Sequence, residues 1–129
     1  MSPEQAEGLD VDGRSDVFSL GVVIFELVVG HVPFEGDTAS QVIASILRDE
    51  PPAVAAQRDD VPRGLDRVIA KALRKDPGDR YQSSGEMAAE LRTISRRMLS
   101  ASHWPRLYRH IVPAAIWWRR RRQAALLVA

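Results

Sequence analysis

The sequence predicts an all-α fold of four main helices over residues 1–98, followed by a basic tail over 99–129. Three observations carry this. Apolar residues recur at helical spacing, and no segment alternates as a half-buried strand would. Cap-forming residues and Gly or Pro breakers bound each apolar stretch. Charge divides the chain: residues 1–90 hold 9 Lys+Arg against 17 Asp+Glu, a net −8, whereas 91–129 hold 9 Arg and no acid. The boundary is expected between about Met98 and Pro105.

The first helix is the run Val17–Val29, apolar except for Ser19, Gly21 and Glu26. At 13 residues it is short of the roughly 20 needed to cross a bilayer. A helix apolar on nearly every side is one packed on most of its faces. Ser15 is its expected N-cap, Asp16 falls in the first turn and Gly30 stops it. "HVPFEGD" (31–37) reads as a turn. The second helix spans about Thr38–Arg48, with Thr38 and Gln41 at capping-box spacing and Val42, Ile43, Ile46 and Leu47 along one side. Residues 49–62 read as a loop rich in proline and charge. The third helix covers 63–75, with Leu65, Val68, Ile69, Ala72 and Leu73 on one face. "DPGDRYQ" breaks it. The fourth starts at Ser83, with Glu86 as capping-box partner and Met87, Leu91, Ile94 and Met98 as its buried stripe.

With no cysteine, disulfides and thiolate metal sites are excluded. His31, His103 and His110 are scattered without metal-ligand spacing. The acidic opening "MSPEQAEGLD" lacks the apolar region of a secretory signal. In the tail, Trp117 and Trp118 abut Arg119, Arg120, Arg121 and Arg122, and Gln123–Ala129 turns apolar.

Three blocks in order resemble the C-terminal lobe of bacterial eukaryotic-like serine/threonine protein kinases: "MSPEQA", "DGRSDVFSLGVVIFELVVGHVPFEG" and "LDRVIAKALRKDPGDRYQSSGEMAAEL". The resemblance covers about residues 1–95. It implies that 1–98 is the distal part of a kinase catalytic domain, comprising the end of the activation segment and the helical subdomain. The apolar run would be the central buried helix of that lobe. The resemblance further implies that Glu4 pairs with Arg80 in a buried ion pair, that Asp16 caps the backbone of the catalytic loop, and that Glu26 contacts a basic residue of the peptide substrate.

Plainer readings stand beside these. Asp16, apart from the resemblance, reads as a helix N-terminal charge with no further task; its setting in "SDVFSLG" favours the capping role. Glu4 and Arg80, each taken alone, read as solvated surface charges. Glu26 reads as an acid that has found a partner in a mostly apolar helix. Phosphoryl transfer in the family needs a glycine-rich loop, a strand lysine, a catalytic-loop aspartate and a metal-binding Asp-Phe-Gly. The sequence holds none of them, and its lysines are Lys71 and Lys75 alone. ATP and Mg²⁺ are therefore implied for the full-length family and not for this chain. No catalytic, cofactor or metal residue is expected here, and phosphotransfer is not expected from the chain alone.

The expected partners are protein substrates or a kinase partner. An alternative is a binding module without chemistry. For Arg119–Arg122 three readings remain: the cytoplasmic flank of a membrane helix that begins at "QAALLVA", a phosphate-binding nucleic-acid contact, or a solvated tail. The first places the chain in the cytoplasm at the inner face of the membrane; nucleic acid is the least favoured. A last expectation concerns the missing neighbours of the first helix. One side of Val17–Val29 should lie open, leaving residues 1–98 helical but weakly stable, with an exposed apolar patch.

Overall fold

The computed structural model describes residues 1–100; the expectations for the tail, Arg119, Arg120, Arg121 and Arg122 among them, fall outside the described residues. Six α-helices are described: α1 (Pro3–Glu7), α2 (Gly13–Val29), α3 (Ala39–Arg48), α4 (Val54–Gln57), α5 (Arg63–Ala72) and α6 (Ser84–Ser100), with a 3₁₀ turn at Pro77–Asp79. No strand occurs among the described residues. The four expected helices are α2, α3, α5 and α6. Met1–Ser95 forms one compact unit.

Local chemistry explains each element and each departure. α1 has a reciprocal cap: Ser2 Oγ accepts from the Gln5 amide and Gln5 Oε1 accepts from the Ser2 amide. Pro3 opens it, and Gly8, at φ 70°, closes it in the left-handed region. α2 starts earlier than expected. Its N-cap is Asp12, whose Oδ1 accepts from the Arg14 amide at 2.8 Å, so Ser15 lies inside the first turn. α3 is capped by Thr38 and Gln41 as its spacing predicts.

The expected loop at 49–62 contains α4, whose first amide donates to Asp66 Oδ1 of α5 at 2.9 Å. A cap supplied from another element leaves no local signature. α5 ends at Ala72 rather than at 75, because Asp76 precedes a proline and disfavours helix there. Ser83 Oγ accepts from the Glu86 amide at 3.2 Å, but the Glu86 carboxylate accepts from the Gln82 amide, one residue outside the expected box.

α2 is the element the others pack on. It lies against α5, and Gly21 marks the closest approach: a Cβ there would come within 2.9 Å of Ala72 Cβ. Phe18 and Phe25 lead one buried cluster with Phe34, Ile46, Val54 and Ile69. Val17 leads a second with Val68, Ala72, Tyr81 and Met87, and Ile24 packs against both. The α5 stripe is buried at Val68, Ile69, Ala72 and Leu73. Leu91 and Ile94 of α6 pack against the second cluster.

One side of α2 is open. Leu20, Val23 and Leu27, at i, i+3 and i+7, are 39 %, 49 % and 69 % exposed. Three large side chains of α2 thus stand open, as the expectation of an uncovered side requires. Full burial of such side chains is worth about 1.5–3 kcal/mol each, and this stripe forgoes most of it.

Two outcomes follow. Gly21→Ala, forced against Ala72, should lower stability by about 1–3 kcal/mol in urea unfolding. The chain should also bind a dye for exposed apolar surface, and Leu20→Gln with Leu27→Lys should lower that binding while leaving helical circular dichroism unchanged. Dye binding undiminished in the double variant would place the exposed surface elsewhere.

Candidate functional site

The site is built around Arg80, a charged side chain with 0 % exposure. A buried guanidinium must place five N–H donors. Nη1 donates to Glu4 Oε1 at 2.8 Å and to the Arg14 carbonyl at 3.1 Å. Nη2 donates to Glu4 Oε2 at 2.8 Å and to the Lys75 carbonyl at 2.9 Å. Nε donates to the Arg74 carbonyl at 2.7 Å. All five are used. The face of the guanidinium lies 4.9 Å from the centre of the Phe18 ring.

Glu4 is bidentate to Arg80 and takes a third bond from Ser15 Oγ at 2.5 Å. The Arg80 guanidinium is the leading cause that holds its carboxyl down to about 2; burial opposes the shift and the Ser15 hydroxyl adds to it. The structure thus brings Glu4 and Arg80 together across 76 residues of chain. The sequence analysis missed Ser15 as the third member. Its signal was positional: Ser15, Phe18, Val22 and Phe25 share one face of α2, and a serine on a buried face needs a partner.

Arg14 and Gln82 brace the rim of this knot. Arg14 pairs with Asp12 at 2.7 Å, and its Nη1 reaches Gln82 Oε1 at 3.4 Å. The Gln82 side-chain Nε2 in turn lies within donating distance of the carbonyls of Pro77, Gly78 and Arg80.

Asp16 and Glu26 lie elsewhere. Both are exposed on α2, and neither carboxylate accepts a hydrogen bond among the described residues. Asp16 heads the open stripe, four residues before Leu20. Glu26 is near the other end of the helix.

Among the described residues no group of three or more His, Asp or Glu side chains that could hold a metal ion occurs. Both lysines are engaged: Lys71 with Glu86 at 3.3 Å and the Tyr81 ring, Lys75 with the Ile46 carbonyl at 2.6 Å and the Phe34 ring. Desolvation leads in lowering the Lys75 pKa. Burial, with the hydrogen bond to Glu90, raises that of the Tyr81 phenol. The arrangement of Glu4, Ser15 and Arg80 is a structural tie.

Removing one partner of the tie strands the other. Glu4→Gln and Arg80→Met should each cost about 3–5 kcal/mol in urea unfolding. A carboxyl depressed from 4.5 to about 2 stabilises the fold at all pH above 4.5, and that stability is lost as pH falls from 4.5 through 2. The contribution is roughly 3 kcal/mol. Acid unfolding followed by circular dichroism should show its transition in that window, and Glu4→Gln should flatten it.

Comparisons with known proteins agree with this geometry. The family model for the protein kinase domain matches residues 1–91. Serine/threonine-protein kinase PknB of Mycobacterium tuberculosis is 45 % identical over 91 residues, covering 70 % of this chain and 14 % of that protein. PrkC of Bacillus subtilis is 38 % identical over 93 residues, covering 72 % and 14 %. The twitchin kinase region of C. elegans shares the fold at a TM-score of 0.61 and 24 % identity, over 70 % of this chain and 15 % of that one. The chain spans about one seventh of the length of these curated relatives. A buried arginine that ties an N-terminal Ser-Pro-Glu to the floor of a helical lobe, with sequence kinship over the same residues, leads to one conclusion: the chain belongs to the protein kinase family and forms a fragment of its helical C-terminal lobe.

Proposed function

We propose that this chain is the substrate-side helical floor of a serine/threonine protein kinase, a family that transfers the γ-phosphate of ATP to protein hydroxyls, and that it has no phosphotransferase activity alone. The observation that carries the reading is the Glu4–Ser15–Arg80 knot, which fixes the N-terminal segment to α2 and to the turn after α5. In this reading the open stripe of Leu20, Val23 and Leu27, headed by Asp16, faces the part of the domain that carries the ATP and Mg²⁺ machinery. Asp16 would cap the backbone of that part, as a carboxylate near a helix N-terminus does for free amides. The residues present here supply no phosphate or metal ligands, so no step of the transfer runs through them.

The setting we propose is signalling in the cytoplasm. No helix among the described residues is long and apolar enough to cross a membrane. Contact with the inner face of the membrane would rest on the arginines at 119–122.

A second reading is a protein-binding module without chemistry. It draws on the same open face of α2.

Two measurements test the proposal. Labelled ATP, Mg²⁺ and a generic protein substrate should show no incorporation that scales with the purified chain. A chimera carrying residues 1–95 in place of the matching segment of PrkC should autophosphorylate. Glu4→Gln and Asp16→Asn in the chimera should each lower that activity at least about tenfold, a loss of some 1.4 kcal/mol of transition-state stabilisation. A chimera that folds but is inactive, or one indifferent to both substitutions, would refute the reading.

A further inference from the structure

The chain holds 18 Lys+Arg residues, and of these only Lys71 and Lys75 are lysines. An amine can lose its proton and accept an acyl group, whereas a guanidinium stays charged. These two side chains are therefore the amines to compare. Exposure alone favours Lys71, whose side chain is 42 % exposed. Its Nζ, however, is paired with Glu86 at 3.3 Å and lies 4.2 Å from the centre of the Tyr81 ring. That ion pair has to open before Lys71 can react.

Lys75 is partly buried and set differently. Its Nζ donates to the Ile46 carbonyl at 2.6 Å and lies 3.9 Å from the centre of the Phe34 ring. Among the described residues no carboxylate forms an ion pair with it. Its own carbonyl accepts from Arg80 Nη2 at 2.9 Å, so the Arg80 tie fixes the backbone from which this side chain springs. The groups around Nζ pull in both directions. The Ile46 carbonyl is among the last four of α3, which lack an intrahelical donor, and a helix end favours a cation. Asp49 and Glu50, just past that end, favour it too, and Arg80 opposes it. Burial is the largest influence and outweighs the rest, so the amine sheds its proton more readily than an ordinary lysine. A neutral amine keeps an N–H on the Ile46 carbonyl and still offers its lone pair.

We propose that Lys75 is an acylation site, taking an acyl group from an activated donor of the acyl phosphate class, and that the acyl group releases α3 from the turn after α2. The Nζ lone pair attacks the acyl carbon and an N–C bond forms. The bond from that carbon to the phosphate oxygen breaks, inorganic phosphate leaves, and the nitrogen gives up one proton to it through water. An ammonium with three donors becomes a neutral amide with one. The attraction of the cation to the Phe34 ring is lost, and the added acyl carbons have to share the space between that ring and Ile46. This chemistry needs neither ATP nor the open side of α2, so it stands apart from the kinase reading.

The test treats the whole chain with acetyl phosphate. Cleavage at arginine separates the two amines, because residues 68–74 (VIAKALR) carry Lys71 and residues 75–80 (KDPGDR) carry Lys75. Mass spectrometry at neutral pH should show the 75–80 peptide gaining acetyl at least about threefold faster than the 68–74 peptide. In urea the two rates should converge. Equal rates in the folded chain, faster labelling of Lys71, or a preference for Lys75 that survives unfolding would each overturn the proposal. The release of α3 is read in the Lys71→Arg chain, with circular dichroism checking its helices. Acetylation should quicken amide hydrogen exchange over residues 39–48 at least about threefold. A chain with both Lys71→Arg and Lys75→Arg, acetylated at its N-terminus alone, should show no such change. Unchanged exchange in the first chain, or equal quickening in the second, would overturn the release.

Discussion

Everything described here depends on placing one guanidinium where water cannot reach it. Arg80 uses two of its five donors on Glu4 and three on the carbonyls of Arg14, Arg74 and Lys75. The Arg74 and Lys75 carbonyls lie past the end of α5, where no helix satisfies them, and the Arg14 carbonyl in the first turn of α2 takes the guanidinium as a further donor. A lysine could not replace it, having three donors on a point charge and no planar fork for a carboxylate. The knot therefore performs two tasks with one side chain: it neutralises a buried carboxylate and closes the irregular segment between α5 and α6. Replacing such a pair by apolar residues is often neutral or stabilising, so its value here lies in specifying where three distant segments meet.

That placement decides the two sides of α2. Ser15 and Asp16 are neighbours in sequence and part company in space. The serine turns inward to Glu4, with Phe18 and Phe25 following on its face. The aspartate turns outward, with Leu20, Val23 and Leu27 following on its own. α2 thus buries one face in its own fold and leaves another apolar face open, the face that under the proposed function meets the rest of the kinase domain.

The parts of this fold that were legible in the sequence are those written locally. The stripes of α5 and α6, the reciprocal cap of Thr38 with Gln41, and the stop at Gly30 all place their cause within a few residues of their effect. α1 was legible in principle, since Ser2, Pro3, Gln5 and Gly8 form a complete start and stop, but five residues carry no periodicity to draw notice. α4 was not legible, because its cap is Asp66, twelve residues away. α2 starts early because Asp12, three residues before the expected cap at Ser15, accepts from the Arg14 amide, while the Ser15 hydroxyl donates to Glu4. Of the site, the pairing of Glu4 with Arg80 came from the resemblance and Ser15 from neither source, since the use of its hydroxyl depends on a contact eleven residues back.

The same geometry explains how one helix serves three surfaces without conflict. Successive residues of α2 are turned about 100° from one another. Val22 lines a groove beside the turn to α3, and Val23, one step round, stands on the open stripe. Gly21, one step the other way, lies against Ala72 of α5. Each consecutive residue thus serves a different neighbour: the core, the groove and the uncovered face. This division requires α2 to be apolar on nearly every side, which is why the run from Val17 to Val29 reads like a short membrane segment in sequence while being the hub of a lobe. It also restricts where charge is tolerated. Asp16 and Glu26 fall where the helix meets solvent, at the two ends of the open side, and a carboxylate at the position of Val17, Gly21 or Phe25 would be buried without a partner.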